Sequence, residues 1–238
     1  MSVNGDVAAR RPIRAAVLDL DGTLVTTDTL DELCALAGYG RQSEELNRRF
    51  LDGTATGIAS LMTRINFLAG LPLSTVEDWL AANPRLMPGA RQLFEYFRAH
   101  RIVSVIASGS ILPVLQSYRR LLGADYVLGP APPVRNGVIT SFLPEHYPPQ
   151  GFKLCWSSEL LGRLGISWDE TVVIGDSPAE RAMFELAGLS IVINPKGGVE
   201  AQADLVLHGD LAPALEAISA QQAGRPGTRS SWAGRPHN

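Results

Sequence analysis

Cysteine is scarce in this chain. Of 238 residues only Cys34 and Cys155 are cysteines, far apart and without a Cys-x-x-Cys spacing. That count offers neither a disulfide framework nor a thiolate metal site, so two buried free thiols within helices are expected. Long apolar runs are also missing. No stretch reaches the roughly 18 consecutive apolar residues that a membrane helix requires. The opening, Met1 to Arg11, has no apolar core of the kind a secretory signal carries, so a flexible leader on a cytoplasmic protein is expected. Charge of one sign is not concentrated either: the net charge is −3 and the body of the chain has no block of like charges. A nucleic-acid groove is therefore not expected, and a charged small molecule would have to be drawn in by local groups.

What the chain does have is an ordinary globular composition, 45% hydrophobic and 19% charged, in a length that suits one large domain or one domain with a modest insertion. Short apolar runs alternate with helical periodicity. The runs at 13–20, 102–107, 126–128, 171–174, 190–193 and 205–207 read as strands. Those at 90–100, 111–122, 152–164, 179–187 and 211–220 read as helices. Asn136-Gly137 between apolar flanks marks a hairpin within 134–142. Strands alternating with helices in this way imply βαβ units and a parallel sheet. Between Thr27 and Ala82 the pattern is helical only, with Leu30, Leu33, Ala37, Leu61, Ile65 and Leu68 at helical spacing. The expected organisation is a leader at 1–11, a core at 12–26 and 84–220, an all-helical insertion at 27–83, and a disordered tail at 221–238 rich in Gly, Arg, Ser and Pro.

Chemistry gathers where apolar runs end. Asp19 and Asp21 close the first run in Asp19-Leu20-Asp21-Gly22-Thr23. Alternate residues of a strand share a side, so the two carboxylates repel unless a hard cation such as Mg²⁺ relieves them, and an aspartate can attack phosphorus. Two carboxylates at a surface turn would give the same spacing. Ser108-Gly109-Ser110 follows the second run, offering a hydroxyl and backbone amides to a phosphate, or merely a helix cap. Lys153 opens a helix and could neutralise a phosphoryl group, although a single lysine is usually solvated. Asp176 and Glu180 lie in Gly175-Asp176-Ser177-Pro178-Ala179-Glu180, placed to serve a metal or simply to cap a helix.

Taken in order, these motifs make the chain resemble the haloacid dehalogenase superfamily of phosphohydrolases over roughly Ile13 to Ala220. Within it the phosphoserine phosphatases are most similar, through Leu18 to Val25, Thr29 to Leu33, Pro88-Gly89, Ala107-Ser108-Gly109, Gly175-Asp176 and Ala187 to Lys196. The resemblance implies an α/β fold, a Rossmann-like three-layer sandwich with a parallel sheet, and a small helical cap inserted after the first strand. It implies that Asp19 is the nucleophile and a Mg²⁺ ligand. Asp21 would act as acid and base and bind the metal through its backbone carbonyl. Ser108 and Gly109 would hold the phosphate and Lys153 would steady Asp19 and the phosphate. Asp176 would complete the metal site, with Glu180 behind it, while Asp28 and Arg64 would read the leaving group. The implied activity is hydrolysis of a small phosphorylated metabolite, O-phospho-L-serine or a relative, by a monomer or homodimer. A phosphotransferase and an inert binding protein are the alternatives. The chain departs from the phosphoserine phosphatase pattern at Gly22, at Ser110, at Ala179-Glu180, and at Asp28, where a glutamate is usual.

Overall fold

The computed structural model describes residues 11–224. The leader up to residue 10 and the expected tail from residue 225 lie outside those residues, while 221–224, the start of the expected tail, are described. Six parallel strands form the main sheet: β1 (Ala15–Leu18), β2 (Val103–Ala107), β3 (Tyr126–Leu128), β6 (Thr171–Gly175), β7 (Leu189–Ile193) and β8 (Leu205–Leu207). Their order is β3-β2-β1-β6-β7-β8. The chain runs outward from β1 toward β3 and then returns to lay β6, β7 and β8 on the other side. This reversal beside β1 is where open α/β sheets bind their ligands, at the carboxyl ends of the strands.

All four residues of β1 and all five of β6 are buried, which explains why they read as unbroken apolar runs rather than alternating ones. The alternation survives as a division of labour between two faces. Ala16, Leu18, Ile106, Val172 and Ile174 pack with α5 (Ala90–Ala99), α6 (Leu112–Leu122) and α9 (Ala212–Gln222). Val17, Val105, Ala107, Val173 and Val192 face the opposite way, onto Leu160 of α7 (Phe152–Leu164) and onto Met183 and Phe184 of α8 (Arg181–Phe184). The result is the expected three-layer α/β sandwich.

The insertion holds α1 (Thr29–Leu36), α2 (Gly40–Leu51), α3 (Gly57–Asn66) and α4 (Leu73–Ala82). The first three pack on one another over the strand ends, whereas α4 leans on α6 of the core. The hairpin made by β4 (Val134–Arg135) and β5 (Val138–Ile139) turns through Asn136 and Gly137, both at positive φ. It also joins the insertion. Gly70 N donates to Ile139 O at 2.9 Å, Ile139 N to Leu71 O at 3.0 Å, and Leu73 N to Gly137 O at 2.8 Å.

Three local expectations are corrected. Cys34 is buried, but Cys155 is exposed on the outer side of α7. The helix expected over 179–187 is a 3₁₀ turn at Pro178–Glu180 and a single helical segment, α8. Ser177 caps that turn reciprocally with Glu180, whose side chain is drawn inward instead of pointing along a solvent face. The last helix continues past residue 220, because Gln221 Nε2 donates to Arg11 O at 2.9 Å and Gln222 Nε2 to Ile13 O at 2.8 Å, tying it to the start of the core.

Candidate active site

The first strand delivers Asp19, 6% exposed, to the centre of the sheet's carboxyl edge. Its amide donates to Ile174 O at 2.9 Å, so the carboxylate is fixed relative to β6. The chain must then turn sharply at Gly22, where φ is +75°. A side chain there would also be impossible: a Cβ would stand 2.1 Å from Asp176 Oδ2 and 2.7 Å from Lys196 Nζ. Gly22 thus lets the β1 turn close onto the β6 turn.

Lys153 arrives from the first turn of α7 and donates to Asp19 Oδ1 at 2.8 Å and to Glu180 Oε1 at 2.6 Å. All three side chains are less than a tenth exposed. Burial alone would pull the Lys153 ammonium down, but Asp19 and Glu180 outweigh it and hold the amine above its ordinary value. Burial raises the Glu180 carboxyl, with Lys153 pulling the other way. Asp176 is pushed up to about 7, first by burial and then by the charge of Asp19, while Lys196 at 2.7 Å works against both. Asp19, Asp176 and Glu180 offer oxygen atoms within 4.8 Å of one another. Three crowded, desolvated carboxylates with hard oxygen donors fit a divalent cation such as Mg²⁺. Asp21 is not part of that cluster.

Instead, Asp21 Oδ1 accepts from Thr29 N at 2.8 Å. Its carboxyl is raised well above the usual range by burial, then by Asp28 and Asp19, against the pull of hydrogen bonds from Thr29. Ser108, 1% exposed, closes β2. Its Oγ accepts from Ser110 N at 3.1 Å, shaping the Ser108-Gly109-Ser110 turn. Gly109 sits under the insertion, with Leu61 Cδ1 3.1 Å from where its Cβ would be.

Above this floor lies a cavity of ≈ 410 Å³, roofed by α1, α2 and α3 and bordered on one side by Phe152, Pro178 and Ala182. Arg64 is the hub of the roof. Its Nη2 meets Asp28 Oδ1 at 2.7 Å and Asp31 Oδ1 at 2.8 Å, and its Nε donates to Ser43 Oγ at 2.9 Å. Asn47 Nδ2 bridges the same two aspartates at 2.9 and 3.2 Å. Burial raises the Asp31 carboxyl, with Asp28 adding to it and Arg64 opposing.

Every residue singled out from the sequence borders this cavity or its floor: Asp19, Asp21, Asp28, Arg64, Ser108, Gly109, Lys153 and Asp176 line it, and Glu180 stands behind Lys153. Sequence reasoning missed Lys196, Asp31, Ser43, Asn47, Arg181 and Glu185. Lys196 was findable, since it follows the end of β7 just as the other polar clusters follow their strands. Asp31, Ser43 and Asn47 carried no such signal, because only the packing of separate helices brings them to Arg64.

A family profile described as haloacid dehalogenase-like hydrolase matches residues 16–185. The chain is 29% identical over 194 residues to a phosphoserine phosphatase of Archaeoglobus fulgidus, a match covering 82% of this chain and 56% of that relative. It is 28% identical over 195 residues to a phosphoserine phosphatase of Campylobacter jejuni subsp. doylei, covering 82% of this chain and 94% of the other. In three dimensions it superposes on a phosphoserine phosphatase solved as a phospho-aspartyl intermediate analogue with a TM-score of 0.78 at 24% identity, over 87% of this chain and 100% of that one. Motif order, sheet topology and relatives agree: the chain belongs to the haloacid dehalogenase-like hydrolase family and is phosphoserine phosphatase-like.

Proposed function

We propose that the chain is a Mg²⁺-dependent phosphomonoester hydrolase that works through an aspartyl-phosphate on Asp19, with O-phospho-L-serine or a closely related small metabolite as substrate. The observation that carries this reading is the buried Asp19–Lys153–Glu180 arrangement beside Asp176 and Ser108, at the carboxyl ends of three adjacent strands. The named relatives support the choice of substrate.

Asp19, Asp176 and Glu180 have the donor set to hold Mg²⁺, which would supply positive charge to the phosphoryl oxygens. The residues then divide the work. Ser108 Oγ and the amides of its turn bind the phosphoryl oxygens and orient phosphorus toward Asp19. An Asp19 carboxylate oxygen forms a bond to phosphorus as the ester P–O bond breaks, and Asp21 gives its proton to the departing alcohol oxygen. Asp21, now ionised, takes a proton from water as that water attacks the phosphorus of the aspartyl-phosphate, releasing phosphate and restoring Asp19. The raised carboxyl of Asp21 suits a group that must first hold a proton and then accept one. Lys153 holds the Asp19 carboxylate in orientation and offsets charge on the transferring group. The roof excludes bulk water, and Asp28 and Arg64 read the head group of the leaving alcohol.

The test is phosphate release from a panel of phosphorylated metabolites including L-phosphoserine, with and without Mg²⁺. The expected result is Mg²⁺-dependent release led by L-phosphoserine and abolished by Asp19→Asn. Release that survives Asp19→Asn would sink the covalent mechanism. Another metabolite in the lead would leave the chemistry standing and reassign the roof.

A further inference from the structure

The Ser110 side chain is not used in the chemistry above, yet it is fully buried at the site, and so is that of Thr29. The two come from opposite halves of the cavity. Ser110 belongs to the phosphate-binding turn after β2, on the floor. Thr29 is the first residue of α1, on the roof. Their hydroxyls meet, Thr29 Oγ1 to Ser110 Oγ, at 2.8 Å.

Each partner is also tied to a functional group. The Thr29 amide donates to Asp21 Oδ1 at 2.8 Å. The Ser110 amide donates to Ser108 Oγ at 3.1 Å. The turn itself is anchored from below. Ser108 N donates to Leu128 O at 3.0 Å and Leu112 N to Pro130 O at 2.8 Å. Gly129 passes so close that a Cβ there would lie 2.9 Å from Ser110 O and 3.0 Å from Ser108 O. The floor is therefore the fixed side and the start of α1 is the side that needs placing. The Thr29 side chain also interacts with the Asp21 carboxylate, so its hydroxyl is shared between Ser110 and Asp21 and the Ser110 contact bears on where Thr29 presents itself to Asp21.

From this path we propose that Ser110 and Thr29 are positioning residues: their hydroxyl contact locks the start of α1 to the phosphate-binding turn, and so sets where Asp21 stands relative to a phosphate on Ser108. The inference rests on the roles given to Asp21 and Ser108 in the proposed function. A contact of this kind acts on the geometry of proton transfer rather than on substrate affinity, so its signature is in kcat rather than KM.

The test is steady-state hydrolysis of L-phosphoserine and of phenyl phosphate in the presence of Mg²⁺, by the unaltered chain and by Ser110→Ala, Thr29→Val, the double variant, and Thr29→Ser. Ser110→Ala and Thr29→Val are each expected to lower kcat on both substrates about tenfold, with KM within about twofold, since a small misplacement of an acid-base group is costly. The double variant should be no slower than Thr29→Val alone, because Thr29→Val already removes the Ser110 contact together with the side-chain hydrogen bond to Asp21. Thr29→Ser keeps the hydroxyl and should restore most of kcat, which a role in packing alone would not predict. Unchanged kcat in Ser110→Ala, multiplied losses in the double variant, or no rescue by Thr29→Ser would overturn the inference. If the unaltered chain turns over neither substrate nor any other phosphomonoester, the proposed function fails and this inference goes with it; turnover in the unaltered chain with no loss in the variants removes the inference alone.

Discussion

The floor and the roof of the cavity are both built on buried charge, but they hold it differently. On the floor, Asp19 and Asp176 stand at the ends of adjacent strands whose register is set by backbone hydrogen bonds, and two lysines pair with the carboxylates. On the roof, one arginine serves two aspartates at the start of α1, its N-cap Asp28 and Asp31, and all three depend on the packing of α1 to α3 on one another. The floor is stiff because the sheet fixes it. The roof is as stiff as its own ion network.

The largest effect is expected on the floor. Asp19→Asn keeps the shape of the side chain and removes the proposed nucleophile, so turnover should fall to background with the thermal unfolding profile retained. Asp21→Asn should cut kcat by roughly 10²–10⁴, the usual scale for loss of an acid-base group. An active Asp19→Asn chain would contradict the division of roles between the two halves.

Next comes the roof. Arg64→Ala leaves Asp28 and Asp31 facing each other without their shared cation, and removing one partner of a buried ion pair costs on the order of 3 kcal/mol. Denaturant or thermal unfolding should register that loss. Hydrolysis of L-phosphoserine should suffer in KM more than that of phenyl phosphate, which has no amino acid head group. Equal losses on both would show that the roof acts only as a lid.

A smaller effect is expected with pH, and its response to Mg²⁺ singles out the floor, because the raised roof carboxyl, Asp31, lies outside the metal cluster. Asp176 is raised to about 7 from an unfolded value near 3.8, and Asp21 and Glu180 are raised as well. Such carboxyls bind protons more tightly in the folded state. Without a divalent cation, stability is therefore greatest below the unfolded value and falls as pH rises from about 4 to about 7. Adding Mg²⁺ should reverse the fall, and by more at pH 7 than at pH 5. Thermal melts across that range, with and without Mg²⁺, would show it; a metal-free melting temperature that rises from pH 4 to 7 would contradict the crowding described for the floor.

The smallest signal is a reporter of the roof alone. Cys34 is buried on α1, donates to Arg64 O at 3.3 Å, and is pushed up to about 11 by burial. Cys155 is exposed on α7. A thiol reagent should modify Cys155 promptly and Cys34 slowly, and Arg64→Ala should speed the second step while leaving the first unchanged. Equal rates at both cysteines would mean that the roof opens as readily as the surface.

Much of this was legible before folding. A parallel strand covered on both faces must be apolar throughout, so 13–20, 102–107 and 171–174 stood out, and the polar residue after each was marked by position alone. The same rule, applied once more after 190–193, reaches Lys196. Cys155 was misread because cysteine's usual burial is a preference of the residue, whereas exposure depends on which side of α7 meets the sheet. The helix expected over 179–187 was shortened by an interaction from a distant segment, Lys153 drawing Glu180 inward.

The sequence by itself determined the succession of strands and helices along the chain, the parallel sheet they imply, and the identity of the charged groups at the strand ends, because hydrophobic periodicity and strand-end polarity are local properties of the chain. Only the tertiary structure decided which charges are partners. Lys153 with Asp19, Lys196 with Asp176, Arg64 with Asp31, and Thr29 with Ser110 are separated by 134, 20, 33 and 81 residues. No periodicity spans such distances. Those pairings come from the convergence of strand ends in the core, from helix packing within the insertion and, for Thr29 with Ser110, from the packing of insertion on core, each of which places buried polar groups where they must find a partner or remain unsatisfied.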